Sequence, residues 1–235
     1  MPPKLLVPFS KETWGYGNCF GLSEFEIISQ NKKILTSLKN ILCDDFEFNH
    51  LMVNRKAPWI GPEVEYHQEV FNSKTFAPGA SIEELKSKWC QIYIPLDSEK
   101  SNNGGLRVIT NSHLLGQLAS EDMVNQNYSH KRRVPVKTLN EVVNSDNCKL
   151  KDLDLHAGDC LFFSPLLVHG SPSNGTPNER VSLVLQARVK GFIPDNSIFE
   201  KEVSFRSSFI VESISNNKLE IDINNKNKYS DFKLK

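Results

Sequence analysis

The sequence predicts a mainly β domain with helices at its N-terminal flank, on three observations. Apolar runs of strand length recur from residue 46 onward, at 46–53, 64–70, 88–97, 161–163 and 181–189, and turn residues bound them. The longest stretch with a helical period lies ahead of these runs and stops at Leu42. No repeat or low-complexity linker divides the 235 residues, a length at which all-β barrels are commonly one domain.

Composition narrows the partners. With 39% hydrophobic and 24% charged residues the chain has an ordinary globular make-up. Lys and Arg together number 28, as do Asp and Glu, so a net charge of zero argues against a general polyanion-binding surface and against nucleic acid. The apolar run near Met1 is too short for a signal peptide, and no segment approaches the ~18 apolar residues of a membrane span. We therefore expect a cytoplasmic protein with no membrane partner. Cys19, Cys43, Cys90, Cys148 and Cys160 are scattered and form no Cys-x-x-Cys pair, which argues against a disulfide framework and a structural zinc site. Without a secretory route, the sequons at Asn127 and Asn174 carry no glycosylation meaning.

Taken in order, residues 14–22 mix aromatics with three glycines and read as a loop over the core. Ser23 and Glu26 form a capping box, with Leu22 and Ile27 as its staple, ahead of a helix whose apolar positions include Phe25, Ile34, Leu38 and Leu42. A second capping box, Ser81 with Glu84, starts a short helix before the strand at 88–97 and the turn at 98–105. Residues 114–133 are polar and irregular, a candidate lid, and Thr138 with Glu141 reads as the cap of another short helix. Gly158-Asp159 reads as a hairpin turn feeding the strand 161–163. Farther on, 203–211 reads as a strand, 219–223 as an alternating edge segment, and the last dozen residues as disordered.

The chemistry starts at His67-Gln68-Glu69. On a strand, side chains alternate, so His67 and Glu69 share a face with Gln68 opposite. Two histidines and one carboxylate on one face of an ion, with the other positions open, is the ligand set of non-haem Fe(II) oxygenases. His169 is the candidate third ligand. A lone His-x-Glu on a strand is otherwise a solvated pair, and the residues after His169 decide between the readings. Arg180 follows eleven residues later, across the turn-rich link 171–179, and opens an apolar returning strand. From there its planar fork suits a carboxylate in the cavity that holds the metal, and Ser182 shares its face.

This spacing, His67-x-Glu69, then His169, then Arg180, resembles the phytanoyl-CoA dioxygenase-like branch of the Fe(II)/2-oxoglutarate-dependent oxygenases, over roughly residues 46–190. The resemblance implies a double-stranded β-helix (jelly roll, cupin-like) with N-terminal helices outside one sheet, a helical flank over 1–45 and a C-terminal extension over 191–235. It also implies Fe(II) on His67, Glu69 and His169, and 2-oxoglutarate held by Arg180 with Ser182 or Ser171. The implied reaction consumes O2, releases succinate and CO2, and hydroxylates an unactivated C–H bond of a small-molecule substrate. In halogenating relatives Gly or Ala replaces the carboxylate ligand, so Glu69 implies hydroxylation, or a desaturation or ring closure with the same start. Two departures stand out: Glu69 replaces the usual Asp, and Thr110-Asn111 replaces the Pro-Gly that usually precedes Ser-His. His113, in that segment, is a decoy for the metal. His50, His130 and His156 read as surface or satisfied histidines. Lys131-Arg132-Arg133 is a candidate contact for an anionic group on the substrate, against the plainer reading of a solvated basic run. A cupin-like metal isomerase would share the barrel but leave Arg180 without a role, and a non-catalytic jelly-roll binding module would need none of the triad.

Overall fold

Alternation along the apolar runs divides the fold into an inside and an outside. The computed structural model describes residues 13–17, 27–72, 79–123 and 132–192. Its strands are β1 (Thr13–Gly17), β2 (Phe46–Lys56), β3 (Val64–His67), β4 (Trp89–Pro95), β5 (Arg107–Ile109), β6 (Glu121–Asp122), β7 (Arg132–Arg133), β8 (Leu150–Asp152), β9 (Leu161–Phe163), β10 (His169–Ser171) and β11 (Arg180–Val189). The larger antiparallel sheet runs β1-β2-β11-β4-β9, the smaller β3-β10-β5-β8, and β6 with β7 makes a short ribbon. This is the expected jelly-roll arrangement.

The long central strand β11 shows how the layers are sorted. Val181, Leu183, Leu185 and Ala187 project to one side with Leu51 and Val53 of β2 and Cys90, Ile92 and Ile94 of β4. Helix α1 (Lys32–Leu42) covers this outer face with Ile34, Leu38 and Leu42, one residue per turn. Asn31 caps its start by accepting from the Lys33 and Ile34 amides at 3.0 and 3.3 Å, and Cys43 ends it in the left-handed region at φ 55°. Each fully buried leucine there contributes about 1.5–3 kcal/mol. Leu38→Ala is the single change that would hurt this layer most, since Leu38 is 0% exposed.

The other set on β11, Arg180, Ser182, Val184, Gln186 and Arg188, faces the smaller sheet. Val184 packs there with Tyr93, Leu161 and Phe163 of its own sheet against Leu106, Val108 and Leu167. The interior is thus apolar in the middle and polar toward both ends of β11.

Several elements depart from the sequence expectation. Residues Thr13–Gly17, read above as loop, pair with β2 as an edge strand. Helix α2 (Ile82–Lys88) carries the expected capping box, Glu84 N–H donating to Ser81 Oγ at 3.3 Å and Ser81 N–H to Glu84 Oε2 at 3.0 Å. Helix α3 (Val136–Val143) begins after Pro135, so Thr138 lies within the first turn and caps nothing. Proline supplies the start because its fixed φ suits a helix entry and it has no N–H to satisfy. Asn111 sits at φ 60° and so does the work of the glycine it replaces, while its amide donates to the Asn147 carbonyl at 2.8 Å. At the expected hairpin turn, Gly158 has φ 91° and the Asp159 carboxylate accepts from the His156 amide at 2.7 Å. Cys43, Cys90, Cys148 and Cys160 are free thiols. No helix among the described residues is long and apolar enough to cross a membrane. The Ser23 capping box, Cys19, Asn127, His130, Lys131 and the segments 203–211 and 219–235 lie outside the described residues.

Candidate metal centre

His67 ends β3 and His169 starts β10, and the two are direct partners in the antiparallel register. Directly opposed residues project to the same side, and the imidazole centroids lie 4.3 Å apart. The strands come this close because position 170 is glycine: a Cβ there would meet the Val64 carbonyl at 2.8 Å.

Glu69 reaches the same place by a different route from the one expected. The strand stops at His67, and Glu69 opens a 3-10 turn, Glu69–Asn72, so alternation does not carry it to the histidines. The turn does: Glu69 Oε1 lies 3.6 Å from His67 Nε2 and 3.5 Å from His169 Nε2. Gln68 holds the turn in place. Its amide nitrogen donates to the Gly116 and Leu166 carbonyls at 3.0 and 2.5 Å, and its oxygen accepts from the Leu118 amide at 2.9 Å.

Both rings are oriented from behind by main chain. His67 Nδ1 lies 2.8 Å from the Glu65 carbonyl and His169 Nδ1 2.9 Å from that of Leu167. A carbonyl only accepts, so each Nδ1 carries a proton and each Nε2 is the atom turned toward the shared centre. Burial, then the neighbouring His169, lowers the pKa of His67 and keeps it neutral, the form that binds a metal. One ligand atom from each of the three residues lies within 4.8 Å of the others. Adjacent donors about 2.1 Å from an octahedral ion would be about 3 Å apart. The two separations from Glu69 exceed that by about half an ångström, which a carboxylate rotation closes. The donor set and its orientation therefore fit a divalent metal ion.

Across the interior, Arg180 opens β11. Residues 169–171 and 180–189 do not form the hairpin that the spacing suggested: β10 belongs to the smaller sheet and β11 to the larger. The link crosses between sheets and is pinned by Asn174, 0% exposed, whose amide donates to the carbonyls of Lys56, Ala57 and Asn178 at 3.2, 3.1 and 2.8 Å. Arg180 Nη1 donates to Tyr93 Oη at 3.0 Å and Ser182 Oγ at 2.8 Å, and Nη2 to the Gly104 carbonyl at 2.7 Å. Three of the five guanidinium N–H groups are so used, and Nε has no hydrogen-bond partner among the described residues.

Two charged groups here escape a reading of spacing alone. Glu99, 1% exposed, accepts from the Tyr93 hydroxyl at 2.7 Å and the Leu106 amide at 3.3 Å, and its Oε1 is 3.5 Å from Arg180 Nη1. Lys56, 2% exposed, opposes Arg180 on β2 and donates to the Ser171 carbonyl at 3.3 Å and to that of Pro172. Burial, then Arg180, pushes the Lys56 ammonium well below its ordinary range, whereas for Arg180 the cost of burial is outweighed by Tyr93, Glu99 and Asp97. Strand alternation places Lys56 and Tyr93 on the inner face, and that is the signal that would have found them.

The remaining candidates lie elsewhere. His113, in the 3-10 turn Ser112–Leu115, and His156, exposed beside Asp159, are not part of the cluster. Ser171 is buried on β10, joined to the Arg180 side through Lys56. Arg133 is already engaged by Glu121 at 2.8 Å and by Glu65, and Arg132 donates to the Ser120 carbonyl at 3.0 Å, so these two arginines are paired within the protein.

Solved structures with this fold include EctD from S. alaskensis in complex with 2-oxoglutarate and 5-hydroxyectoine (17% identity, TM-score 0.61, 80% of this chain and 61% of that one). AviO1 from Streptomyces viridochromogenes Tue57 is 15% identical with TM-score 0.52, covering 75% of this chain and 66% of that one. The non-heme alpha-ketoglutarate-dependent epimerase SnoN of nogalamycin biosynthesis is 15% identical with TM-score 0.57, covering 78% and 66%. The chain spans less than two thirds of the length of each. No curated protein matches the sequence. The family model for phytanoyl-CoA dioxygenase matches residues 22–182, more than half of the sequence, and the chain belongs to that family.

Proposed function

We propose that this protein is an Fe(II)- and 2-oxoglutarate-dependent dioxygenase that hydroxylates an unactivated C–H bond of a small-molecule metabolite, with release of succinate and CO2. The observation that carries the reading is the pairing of two unlike walls: His67 and His169 of the smaller sheet with Glu69 of the turn after β3, and Arg180 with Ser182 and Tyr93 on the larger. A metal site alone would fit many reactions. A buried guanidinium across from it adds a receptor for the far carboxylate of a chelating 2-oxo acid.

In this reading His67, Glu69 and His169 would hold the iron, and three protein ligands would leave room on it for the 2-oxo acid and O2. Iron, 2-oxoglutarate and O2 together supply the oxidising chemistry. The protein's own residues bind and orient. Arg180 offers its remaining N–H groups to the far carboxylate, with the Ser182 hydroxyl, and Ser171, beside it. Glu99 already neutralises part of the Arg180 charge, and an ammonium on Lys56 restores the balance when a further carboxylate enters. The apolar middle, Val108, Leu106 and Phe163, excludes water from the reacting carbon.

The same hydrogen abstraction can end differently. SnoN is described as an epimerase and SnoK, 14% identical with TM-score 0.54, as a carbocyclase. Glu69 as the third ligand leaves no position for a halide, so halogenation is set aside, and analysis of the product separates hydroxylation from a desaturation or ring closure with the same start.

The test is succinate release in the presence of Fe(II), 2-oxoglutarate and O2, with small amino acids, acyl carriers and sugar derivatives screened for enhancement. Turnover in excess chloride and bromide, with mass spectrometry of the product, follows. Succinate that needs all three components supports the reading, and its absence under every condition overturns it. A halogenated product would show that Glu69 is not a ligand.

A further inference from the structure

One polar side chain on the inner face of the larger sheet has no task in the reaction as described. Gln91, in the middle of β4, is 0% exposed, and neither its Oε1 nor its Nε2 has a hydrogen-bond partner among the described residues. Buried amide groups are paired as a rule, and an unpaired one destabilises the fold, so the position needs a reason.

The register says where the amide points. Gln91 opposes Phe163 of β9, and opposed residues project to the same side. The Phe163 ring stands edge-on to His169 with centroids 5.0 Å apart. Two residues along β4, Tyr93 projects to that side as well and joins the Arg180 network. Gln91 therefore lies beside the metal-binding wall, one strand step beyond Tyr93 and on the side away from Arg180. A 2-oxo acid stretched from Arg180 to the triad occupies the Tyr93 side. The Gln91 side is left for the other reactant.

We propose that Gln91 is a specificity-determining residue for the prime substrate, pairing its amide with a substrate group that offers a donor and an acceptor side by side, a lactam or a primary carboxamide. The pairing would fix which C–H bond faces the metal. The chemistry selects this class because a ketone would satisfy Nε2 and leave Oε1 without a donor, while a carboxylate would set a negative oxygen against Oε1. The role in turnover rests on the oxygenase reading, but the recognition itself does not.

The experiment uses metal-free protein, as the natural chain and as Gln91→Met and Gln91→Leu. Thermal unfolding comes first. If the amide serves a ligand and not the fold, removing its unpaired atoms from a dry interior leaves the melting temperature unchanged or raises it by about 2–4 °C. A structural amide would lower it in both variants. Binding is then measured by ligand-observed NMR with 2-pyrrolidinone and cyclopentanone, a pair matched in shape that differs in the amide. The natural chain should bind the lactam at least about tenfold tighter, a preference equal to about 1.4 kcal/mol, and both variants should lose that preference. Equal binding of the two probes by the natural chain, a preference kept in the variants, or a lowered melting temperature in both would overturn the proposal. Because no metal is present, absent succinate formation in the turnover assay would sink the oxygenase reading and leave this result standing, and the reverse also holds.

Discussion

The two walls of the interior are built on opposite principles. On the smaller sheet, His67 and His169 are held by main-chain carbonyls and converge with Glu69 on one point. On the larger sheet, Arg180 is held by the Tyr93 and Ser182 side chains besides the Gly104 carbonyl and lies beside a resident carboxylate, Glu99, with Lys56 as its direct neighbour across the strands. Orientation by backbone is insensitive to nearby substitutions, whereas a side-chain network of charges is coupled throughout. The first wall should therefore fail one ligand at a time, and the second should fail as a unit.

The largest effect is expected at the first wall. Removing a ligand by His169→Ala or Glu69→Ala should weaken Co(II) or anaerobic Fe(II) binding by roughly a hundredfold or more, measured by titration calorimetry, since even outer partners of metal ligands are worth ten- to a hundredfold. Arg180→Ala should leave that affinity unchanged. If it falls along with the ligand variants, the two walls are not independent and the comparison breaks.

At the second wall the expected result is collective. Arg180→Ala should weaken 2-oxoglutarate binding by about 2–5 kcal/mol, and it should also destabilise the fold by about 3–5 kcal/mol, because Glu99 remains as a buried charge without its cation. Adding Glu99→Gln should return much of the lost stability and none of the co-substrate affinity. Urea denaturation and 2-oxoglutarate titration separate the two. Strict additivity of the stability changes would mean that Glu99 and Arg180 do not act as a pair.

A smaller effect tests how far the backbone orientation of the first wall extends. Ser112, 0% exposed, donates to the Ile109 carbonyl at 2.7 Å and accepts from the Val168 amide at 2.9 Å, just ahead of His169. Ser112→Ala leaves both main-chain groups short of a partner, at about 1–3 kcal/mol of stability. Metal affinity should fall by no more than about tenfold. A loss as large as that of a ligand variant would mean that Ser112, and not the Leu167 carbonyl, fixes the ring.

How much of this was legible in the sequence differs between the walls for a physical reason. His67, Glu69 and His169 are readable because metal ligands have few permitted residue types and the chain supplies them at recognisable spacing. The layer order was readable too, since alternation in β2, β4 and β11 sorts apolar from polar faces. The route was not. Alternation placed Glu69 on a strand, yet the chain turns at Gln68, whose amide bonds to Gly116, Leu118 and Leu166 depend on segments about 50 and 100 residues away. The turn-rich link before Arg180 suggested a hairpin, yet its length serves a crossing between sheets, because Asn174 fastens it to the end of β2. Glu99 and Lys56 look like surface charges in sequence. Alternation along β2 puts Lys56 on the inner face, but only the register sets it opposite Arg180, and only the loop that tucks Glu99 under Tyr93 reveals that carboxylate as interior.

The smallest expected effect sharpens the contrast through pH. Burial, followed by the charge that His169 would add, lowers the pKa of His67 below its ordinary value. In the unfolded chain that histidine titrates near about 6.5. Between that value and the lower folded value, the unfolded state binds one more proton than the native state, so stability increases with pH across the window. The contribution is complete above about 6.5 and is lost as the pH falls toward the folded pKa, at about 1.4 kcal/mol per unit of displacement. Lys56 of the second wall shifts in the same direction from a higher starting value. Burial lowers Lys56 well below 10.5, so its unfolded form holds the extra proton on the alkaline side, and stability there rises until the pH passes the unfolded value. Urea denaturation of the metal-free protein should therefore show stability declining as the pH falls below about 6.5, which His67→Leu flattens, and a rise toward about pH 10.5, which Lys56→Met flattens. If His67→Leu leaves the acid limb unchanged, the neutral imidazole assigned to His67 is wrong, and with it the reason that wall is free to take a cation.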